Sequence, residues 1–329
     1  MKIIKIIGCK SFKIEGKNIY TINLDNQFLI NGKILTDNKS GKFRISGLYD
    51  DKIVLFEENK CSTYIYNDKE DLIKRIDEYA IIINAKLNKS VYLVGINTGE
   101  EIYKAIYDFS DYSIIESIGN LGLNGVYFIL GNNTFITRNR KKIALFNFKN
   151  EVIWETSFLK LTSSDESFLH SQIINKEHRA FFVLDGSEKR GLFCLDINTG
   201  ELENLYENYY YEIFQDEEHI YTSKFKNILC RINPENFEVE EWDVNDLVKK
   251  NGFDNIHDHR CVAKNGLFYF TQTLGDDKAK FGVLDFNSKE LIYKYEFEPN
   301  NGGISSIQVS ENRIFIHTQD NTLHIFEKE

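Results

Sequence analysis

The densest group of side chains able to do chemistry is the segment His257-Asp258-His259-Arg260-Cys261. In a β-strand, side chains alternate between the two faces, so His257, His259 and Cys261 would project to one side. Two imidazoles and a thiolate are ligands that zinc accepts, provided that a fourth ligand came from elsewhere in the fold. Histidines at this spacing without a partner motif are more often ordinary residues at the edge of a strand. We therefore predict no metal site and no cofactor.

Other candidate motifs for catalysis are weak. The glycine-rich segment 119–125 has glycines every third residue, without the order or the strand–turn–helix context of a dinucleotide-binding loop. The acidic pairs and triplets at 165–166 and 216–218 lie in predicted loops, without the histidines or apolar surroundings that shift a carboxyl pKa. The sequence therefore predicts no catalytic residues.

A run of acids suggests a surface rather than a reaction. Six acids and no base lie between positions 235 and 246: Glu235, Glu238, Glu240, Glu241, Asp243 and Asp246. Charge on an outer strand protects a sheet from edge-to-edge pairing, which is the default interpretation. The alternative is a docking face for a cationic protein partner. The tyrosines at 209–211 open a predicted strand and would add aromatic contact area.

A helix is predicted directly after this acidic run, over Asn245–Gly252. It has a capping residue and an acid at its start, lysines near its end, and a glycine where it stops. Loops and inserted turns on a rigid scaffold commonly carry binding residues. The predicted partner-binding residues are Tyr209, Tyr210, Asp243, Asp246, Leu247 and Lys250.

The elements that would position these residues are β-hairpins. Two stretches, 91–100 and 192–201, have nearly the same pattern of an apolar strand, an Asn-Thr-Gly turn and a second strand, and 283–290 is a third copy. Two further strands precede most hairpins. Four-stranded units that recur every 40 to 50 residues or so are the mark of a β-propeller. The fold class is all-β, and residues 1–329 are expected to form a single domain.

The number of four-stranded blades follows from the hairpin spacing. Turns near 97–99, 149–150, 198–200, 234–236 and 287–289 recur at a mean of about 48 residues, which favours seven blades and leaves eight open. Three strands end the chain, and the strand Lys2–Ile7 has no blade of its own. We expect these to pair and close the ring. If fully buried, Ile3, Ile4, Ile6 and Ile7 would each contribute roughly 1.5–3 kcal/mol, which is an upper bound.

Composition narrows the range of partners. The 329 residues are 42% hydrophobic and 14% aromatic, and 50 acids against 40 bases give a net charge of −10. This charge argues against nucleic acid, since phosphate binding needs a basic surface. Five scattered cysteines without a C-x-x-C spacing indicate reduced thiols. Without a signal-like apolar start or an apolar run of about 18 residues, we expect a cytoplasmic monomer that does not enter a membrane.

The hairpin Leu195–Glu201, with an aromatic residue in the following strand as at Trp154, Trp242 and Tyr293, resembles the repeats of quinoprotein-like (PQQ/YVTN-type) β-propellers. That resemblance implies a β-propeller fold. Quinoprotein enzymes are expected to carry a secretory signal, calcium ligands and stacked tryptophans, whereas this chain has two tryptophans and no such signal.

The sequence therefore predicts a non-enzymatic protein-binding propeller. Acidity and the lack of another recognisable domain suggest an immunity protein that neutralises a toxin. The alternative is a propeller enzyme that acts on carbohydrate or another small molecule, because a sequence does not reveal whether carboxylates and aromatics converge at one mouth of the ring.

Overall fold

The computed structural model describes residues 1–15, 17–35, 43–49, 52–57, 59–67, 69, 71–119, 126–130, 134–149, 151–170, 172–225, 227–257, 259–272 and 279–327. Most of these residues are in β-strands. In chain order the first strands are β1 (Lys2–Ile7), β2 (Cys9–Glu15), β3 (Asn18–Asn23), β4 (Phe28–Ile30), β5 (Lys33–Ile34), β6 (Phe43–Tyr49), β7 (Lys52–Glu57), β8 (Ser62–Tyr66), β9 (Leu72–Ile76), β10 (Ala80–Lys86), β11 (Val91–Asn97), β12 (Ile102–Asp108), β13 (Ser113–Gly119), β14 (Val126–Leu130), β15 (Thr134–Arg138), β16 (Lys142–Asn147) and β17 (Val152–Ser157).

Two short helices and a 3₁₀ turn interrupt the later strands in the described part of the chain. The helices are α1 (Phe158–Thr162) and α2 (Asn245–Lys250), and the turn is Pro299–Asn301. The later strands are β18 (Phe168–Leu169), β19 (Ile174–Lys176), β20 (Arg179–Asp185), β21 (Gly191–Asp196), β22 (Leu202–Glu207), β23 (Tyr209–Gln215), β24 (Ile220–Lys224), β25 (Ile228–Ile232), β26 (Val239–Asp243), β27 (Cys261–Lys264), β28 (Leu267–Thr271), β29 (Lys280–Asp285), β30 (Glu290–Glu296), β31 (Ile304–Ser310), β32 (Arg313–Thr318) and β33 (Thr322–Glu327).

Within the described residues the strands form eight antiparallel sheets, which confirms the all-β architecture. Seven sheets have four strands: β2–β5, β6–β9, β10–β13, β14–β17, β23–β26, β27–β30, and β31–β33 with β1. The sheet β18–β22 has five, because the short strands β18 and β19 both pair with β20. The predicted pairing of the first strand with the last three is also confirmed, since β1 pairs with β33 from Lys2 opposite Glu327 to Ile7 opposite Thr322.

The favoured number of seven blades is wrong, and the structure has the eight that were left open. The turn at 97–99 joins the second and third strands of its sheet, whereas the turn at 198–200 joins the last two. The same turn chemistry therefore serves two different positions, and the spacing between the copies is not a whole number of blades. From Lys33 to Glu290, the starts of fourth strands are about 43 residues apart on average, which fits eight.

Burial explains why the strands differ in composition. The third strand β8 is buried along its whole length, whereas β9, the fourth strand beside it, has a single buried residue, Ile76. Inner strands are covered on both faces and so read as continuous apolar runs. β1 takes a fourth-strand position and is correspondingly open: Ile7 is 82% exposed, Ile4 is exposed, and Ile3 and Ile6 are half-buried. The contribution of these four isoleucines therefore stays below the upper bound that full burial would give.

The chain divides into two compact units. The N-terminal unit is Gly8–Asn139 with Ile143–Trp154, and the C-terminal unit is Glu155–Glu329 with Met1–Ile7 and Arg140–Lys142. A single domain over 1–329 remains a prediction.

Each unit has its own apolar core. In the N-terminal unit, Tyr49 stacks on Phe109 with ring centroids 4.5 Å apart and donates a hydrogen bond to the carbonyl of that residue at 2.9 Å. In the C-terminal unit, Phe253 packs on Phe270 at 4.8 Å. Gly282 is required there, because a Cβ at this position would lie 2.4 Å from the Phe270 ring.

Candidate functional site

The predicted helix is held in place by the preceding hairpin turn. Asn227 lies in the turn between β24 and β25 with a φ of 59°, a backbone conformation that asparagine tolerates. Its carbonyl accepts from the Val244 amide at 3.1 Å, its side-chain oxygen accepts from the Ile256 amide at 3.3 Å, and its side-chain amide donates to Asn245 at 3.4 Å. One side chain therefore ties the turn to both ends of the segment that contains α2.

Helix α2 starts and stops by mechanisms that differ in part from the prediction. Asn245 was the predicted cap, but it is the first helical residue, and the Asp243 carboxylate accepts from its amide at 2.9 Å. At the other end Gly252 has a φ of 84°, and the Phe253 amide returns to the Val248 carbonyl at 3.0 Å. Val248 is buried, so that one side of α2 is part of the core.

A cavity of about 490 Å³ opens beside α2, between the turn and the segment that follows the helix. Its apolar floor consists of the buried residues Leu229, Ile256 and Phe268. Phe225 lines it and is 65% exposed, so a large aromatic ring stands in solvent at its mouth. The remaining lining residues are Ser223, Lys224, Asn227, Asn245, Lys249, Asp254, Asn255, His257 and Cys261.

His257 lies in the wall of this cavity and is 8% exposed. Burial lowers the pKa of His257 to about 4, and the nearby positive charge of Arg260 acts in the same direction. Its Nδ1 accepts from the His259 amide at 3.1 Å. The ring is therefore neutral at pH 7 with its proton on Nε2, and this nitrogen has no hydrogen-bond partner among the described residues.

The structure does not assemble the zinc ligands that the His257, His259 and Cys261 spacing suggests. The two imidazole centroids are 6.4 Å apart, and the His259 ring instead lies beside the Glu212 carboxylate, with 3.4 Å between Nδ1 and Oε1. In the described ranges no three His, Cys, Asp or Glu side chains could hold a metal ion together. Asp258 lies outside the described residues.

Tyr209, one of the predicted partner-binding residues, is buried in the structure. It is 4% exposed, because it begins β23 with its ring pointing into the core. Its hydroxyl donates to Glu241 Oε1 at 2.8 Å, and Lys224 Nζ lies 4.5 Å from its ring centroid. The prediction that this tyrosine meets a partner is therefore wrong. Tyr210 pairs with Ser223 in the same strand, and its side chain lies outside the described residues.

The other predicted residues cluster at α2. Asp243, Asp246 and Lys250 are exposed, whereas Leu247 is half-buried against the core. Register places Asp243 opposite Ile228, next to the turn that carries Phe225. We call the surface formed by Phe225, Asp243, Asp246, Lys249 and Lys250 the α2 face. Phe225 was missed by sequence reasoning, although an aromatic residue flanked by two lysines in a predicted turn was a usable signal.

The acidic run is balanced by bases from neighbouring strands. Lys289 and Arg231 hold the Glu240 carboxylate at 2.5 Å each, and the hydrogen bond from Lys289 is the main cause that lowers the pKa of Glu240. Lys224 pairs with Glu241 in the same way and lowers its pKa. These acids therefore contribute less to a negative surface than their number in the sequence suggests.

Other candidate catalytic groups serve the fold. Asp216 accepts from the Tyr221 hydroxyl at 2.6 Å and from the His219 amide at 2.8 Å, so its carboxylate organises a turn. The five cysteines are free thiols, and burial raises the pKa of Cys194 and Cys230 to about 12. Thiols with such pKa values stay protonated and are poor nucleophiles. Among the described helices none has the length and apolar character to span a membrane.

Comparison with known proteins identifies the fold. No family model matches the sequence, and no curated protein matches it. Solved structures do: the computationally designed protein Ika8 (TM-score 0.60, 10% identity, 98% of this chain and 96% of that one), BamB from Moraxella catarrhalis (0.60, 11%, 100% and 97%) and Sqt1 from Saccharomyces cerevisiae (0.62, 10%, 98% and 96%). The chain has a β-propeller fold. At such identities the likeness extends to the fold alone.

Proposed function

We propose that this chain is a non-enzymatic protein-binding β-propeller whose partner binds the α2 face. The observation that carries the proposal is Phe225, a phenylalanine with 65% of its surface exposed at the mouth of a cavity. Covering an aromatic side chain of this kind contributes about 1.5–3 kcal/mol. Energetic anchors of protein interfaces are typically aromatic side chains that fill pockets near the centre of the contact.

The charges around Phe225 form a rim suited to an interface. Asp243 and Asp246 bring negative charge and Lys249 and Lys250 bring positive charge, all of them exposed. Rim charges act mainly on the rate of association and on which partners are rejected. The Asp243 carboxylate also accepts from the amide of the first residue of α2, so that Asp246→Lys is the cleaner test of the rim. We expect that variant to slow association with a cationic partner.

The alternative function is that of an enzyme acting on carbohydrate or another small molecule. It is less well supported because the Asp216 carboxylate organises a turn and the carboxylates of Glu240 and Glu241 are held in ion pairs. Turnover of a small molecule by the purified protein would replace the protein-binding proposal.

A narrower form of the proposal makes the partner a toxin and this chain its immunity protein. The support for it is a net charge of −10, which favours a basic partner. We place the protein in the cytoplasm as a monomer, and assign its blades to the quinoprotein-like repeat type on the Leu195–Glu201 hairpin. Coproduction should protect cells from the toxin if one is encoded beside this gene.

The experiment compares two equally exposed phenylalanines. Phe225 and Phe168 are 65% and 62% exposed; Phe225 lies in the turn after β24, and Phe168 lies in β18 of another sheet. The wild-type chain, Phe225→Ala and Phe168→Ala are used to recover partners from the native cells, with quantification by mass spectrometry. We expect one protein to be retained by wild type and Phe168→Ala and lost with Phe225→Ala. Recovery of no protein that depends on Phe225 contradicts the proposal.

A further inference from the structure

The cavity beside α2 contains a hydrogen-bond donor without an acceptor. His257 Nε2 carries the ring proton, is buried, and has no hydrogen-bond partner in the described part of the chain. Leaving a buried donor unpaired is unfavourable, because the group has lost its water without replacement. A ligand that places an acceptor against this nitrogen would therefore bind more tightly than one that does not.

The other polar groups of the lining also favour a ligand with acceptors. The side-chain oxygens of Asn227 and Asn245 are already engaged, by the Ile256 amide and by the Asn227 amide. Lys249 is exposed, and its ammonium group forms no hydrogen bond or ion pair with another described residue. Asp254 is the one carboxylate in the described lining, and it is exposed. The cavity therefore offers an anionic acceptor the buried N–H of His257 and the Lys249 ammonium group, while its own carboxylate, Asp254, is at an exposed position of the lining.

The floor of the cavity calls for an apolar group in the same ligand. Leu229, Ile256 and Phe268 form a buried apolar surface, and the Phe225 ring extends it toward solvent. A volume of about 490 Å³ is in the range of sites that hold small ligands or a single anchoring residue. The occupant therefore combines an apolar side chain with a carboxylate.

We propose that the cavity binds the carboxyl-terminal residue of the partner protein, an apolar side chain followed by a free α-carboxylate. The side chain packs between the floor and Phe225. The carboxylate accepts from His257 Nε2–H and pairs with Lys249. This inference rests on the proposed protein-binding function and names the group by which the partner is held.

The test uses two probes that differ in one group. N-acetyl-leucine carries the apolar side chain and the carboxylate, whereas N-acetyl-leucinamide has the same side chain and no charge. Each is titrated into the full chain and followed by ligand-observed NMR. We expect N-acetyl-leucine to bind with a dissociation constant of about 1 mM and the amide to bind about tenfold more weakly.

Three variants assign the effect to the cavity. Lys249→Gln should weaken N-acetyl-leucine about threefold to tenfold and leave the amide unchanged, whereas His257→Phe should weaken both probes, because the carboxamide oxygen also accepts from Nε2–H. Lys250→Gln is the matched control, because Lys250 follows Lys249 on the same helix and does not line the cavity. Equal binding of the two probes, no binding of either, or equal effects at Lys249 and Lys250 would overturn the inference.

The outcomes separate this inference from the proposed function. If the probes fail to bind while Phe225→Ala still removes the partner, the carboxylate pocket is wrong and protein binding stands. If N-acetyl-leucine binds as expected while Phe225→Ala leaves partner binding intact, the pocket holds a free small-molecule carboxylate and the partner-terminus proposal is overturned.

Discussion

The two compact units are built from the same kind of sheet but hold different chemistry. All seven histidines of the chain lie in the C-terminal unit, between His170 and His324, and the N-terminal unit has none. Three of them, His257, His317 and His324, are buried, and burial lowers the pKa of His257 and of His324 to about 4. The comparison teaches that sheets of the same kind can differ in their response to pH. The C-terminal unit contains histidines that take up protons in mild acid, and the N-terminal unit contains none.

Each unit also carries its own fluorescent reporter. Of the two tryptophans, Trp154 belongs to the N-terminal unit and Trp242 to the C-terminal unit. The Trp242 ring packs 5.6 Å from Phe286, with Lys289 Nζ at 5.0 Å. Trp154→Phe and Trp242→Phe therefore leave one reporter each, and the units can be followed separately.

The largest expected effect comes from deleting residues 2–7. The deletion removes the six-residue strand β1, and thereby exposes the edge of β33. The half-buried Ile3 and Ile6 contribute roughly 1 kcal/mol each, and each lost ladder hydrogen bond costs about 1 kcal/mol more. We expect aggregation or a greatly lowered melting temperature reported by Trp242. Ile7→Ser, at an exposed position, is the control, and unchanged melting of the deletion variant would contradict the closure by β1.

Mild acid should destabilise the C-terminal unit selectively. His257 and His324 have folded pKa values of about 4 against 6.5 in the unfolded chain, so the unfolded state takes up protons first. Stability present above pH 6.5 is lost as the pH falls toward 4, by about 2 kcal/mol per histidine at pH 5.

Urea unfolding at pH 7 and pH 5 measures this difference through each tryptophan. The Trp242 signal should show the loss, and His257→Gln with His324→Gln should reduce it. Equal losses of unfolding free energy reported by Trp154 and by Trp242 would contradict a selective effect of acid on the C-terminal unit.

The two units contain similar Tyr–Glu–Lys groups with unequal burial. In the N-terminal unit Glu57 is 1% exposed, accepts from the Tyr64 hydroxyl at 3.0 Å and pairs with Lys60 at 2.9 Å. In the C-terminal unit Glu241 is bound by Tyr209 and Lys224 but is largely solvated. Glu57→Ala should cost about 2–3 kcal/mol and Glu241→Ala about 1 kcal/mol or less. Denaturant unfolding of both variants measures these two losses of stability. A larger loss for Glu241→Ala than for Glu57→Ala would contradict the role assigned to burial.

The smallest effect is expected at the start of α2. Asp243→Ala removes the acceptor for the Asn245 amide and should cost about 1 kcal/mol, the usual net contribution of one hydrogen bond. Asp246→Ala, one turn further and exposed, should be close to neutral. Thermal unfolding followed by Trp242 distinguishes them. Equal melting temperatures for the two variants would mean that the hydrogen bond from the Asn245 amide to Asp243 does not stabilise the start of the helix.

Local signals predicted the strands well. The strand Lys2–Ile7 was predicted with the bounds that β1 has. Helix α1 was missed, since five residues are too few for a helical period. Its one signal was Ser157, whose hydroxyl accepts from the Lys160 amide at 3.1 Å.

The candidate site was harder to predict because it depends on contacts distant in sequence. Asn227 binds Ile256 across 29 residues, and nothing local marks it. Alternation along a strand does not say which face is inward at its first residue, so Tyr209 was placed on the surface. The segment of α2 was predicted, but the cavity beside it was not.

Hydrogen exchange of the complex tests the central claim most directly. The partner that depends on Phe225 is bound to the full chain, and amide exchange is compared with that of the free chain by mass spectrometry. We predict slower exchange in 222–229 and 244–256, which carry Phe225, α2 and the segment after it. Slower exchange confined to the N-terminal unit, with these two segments unchanged, would contradict binding at the α2 face.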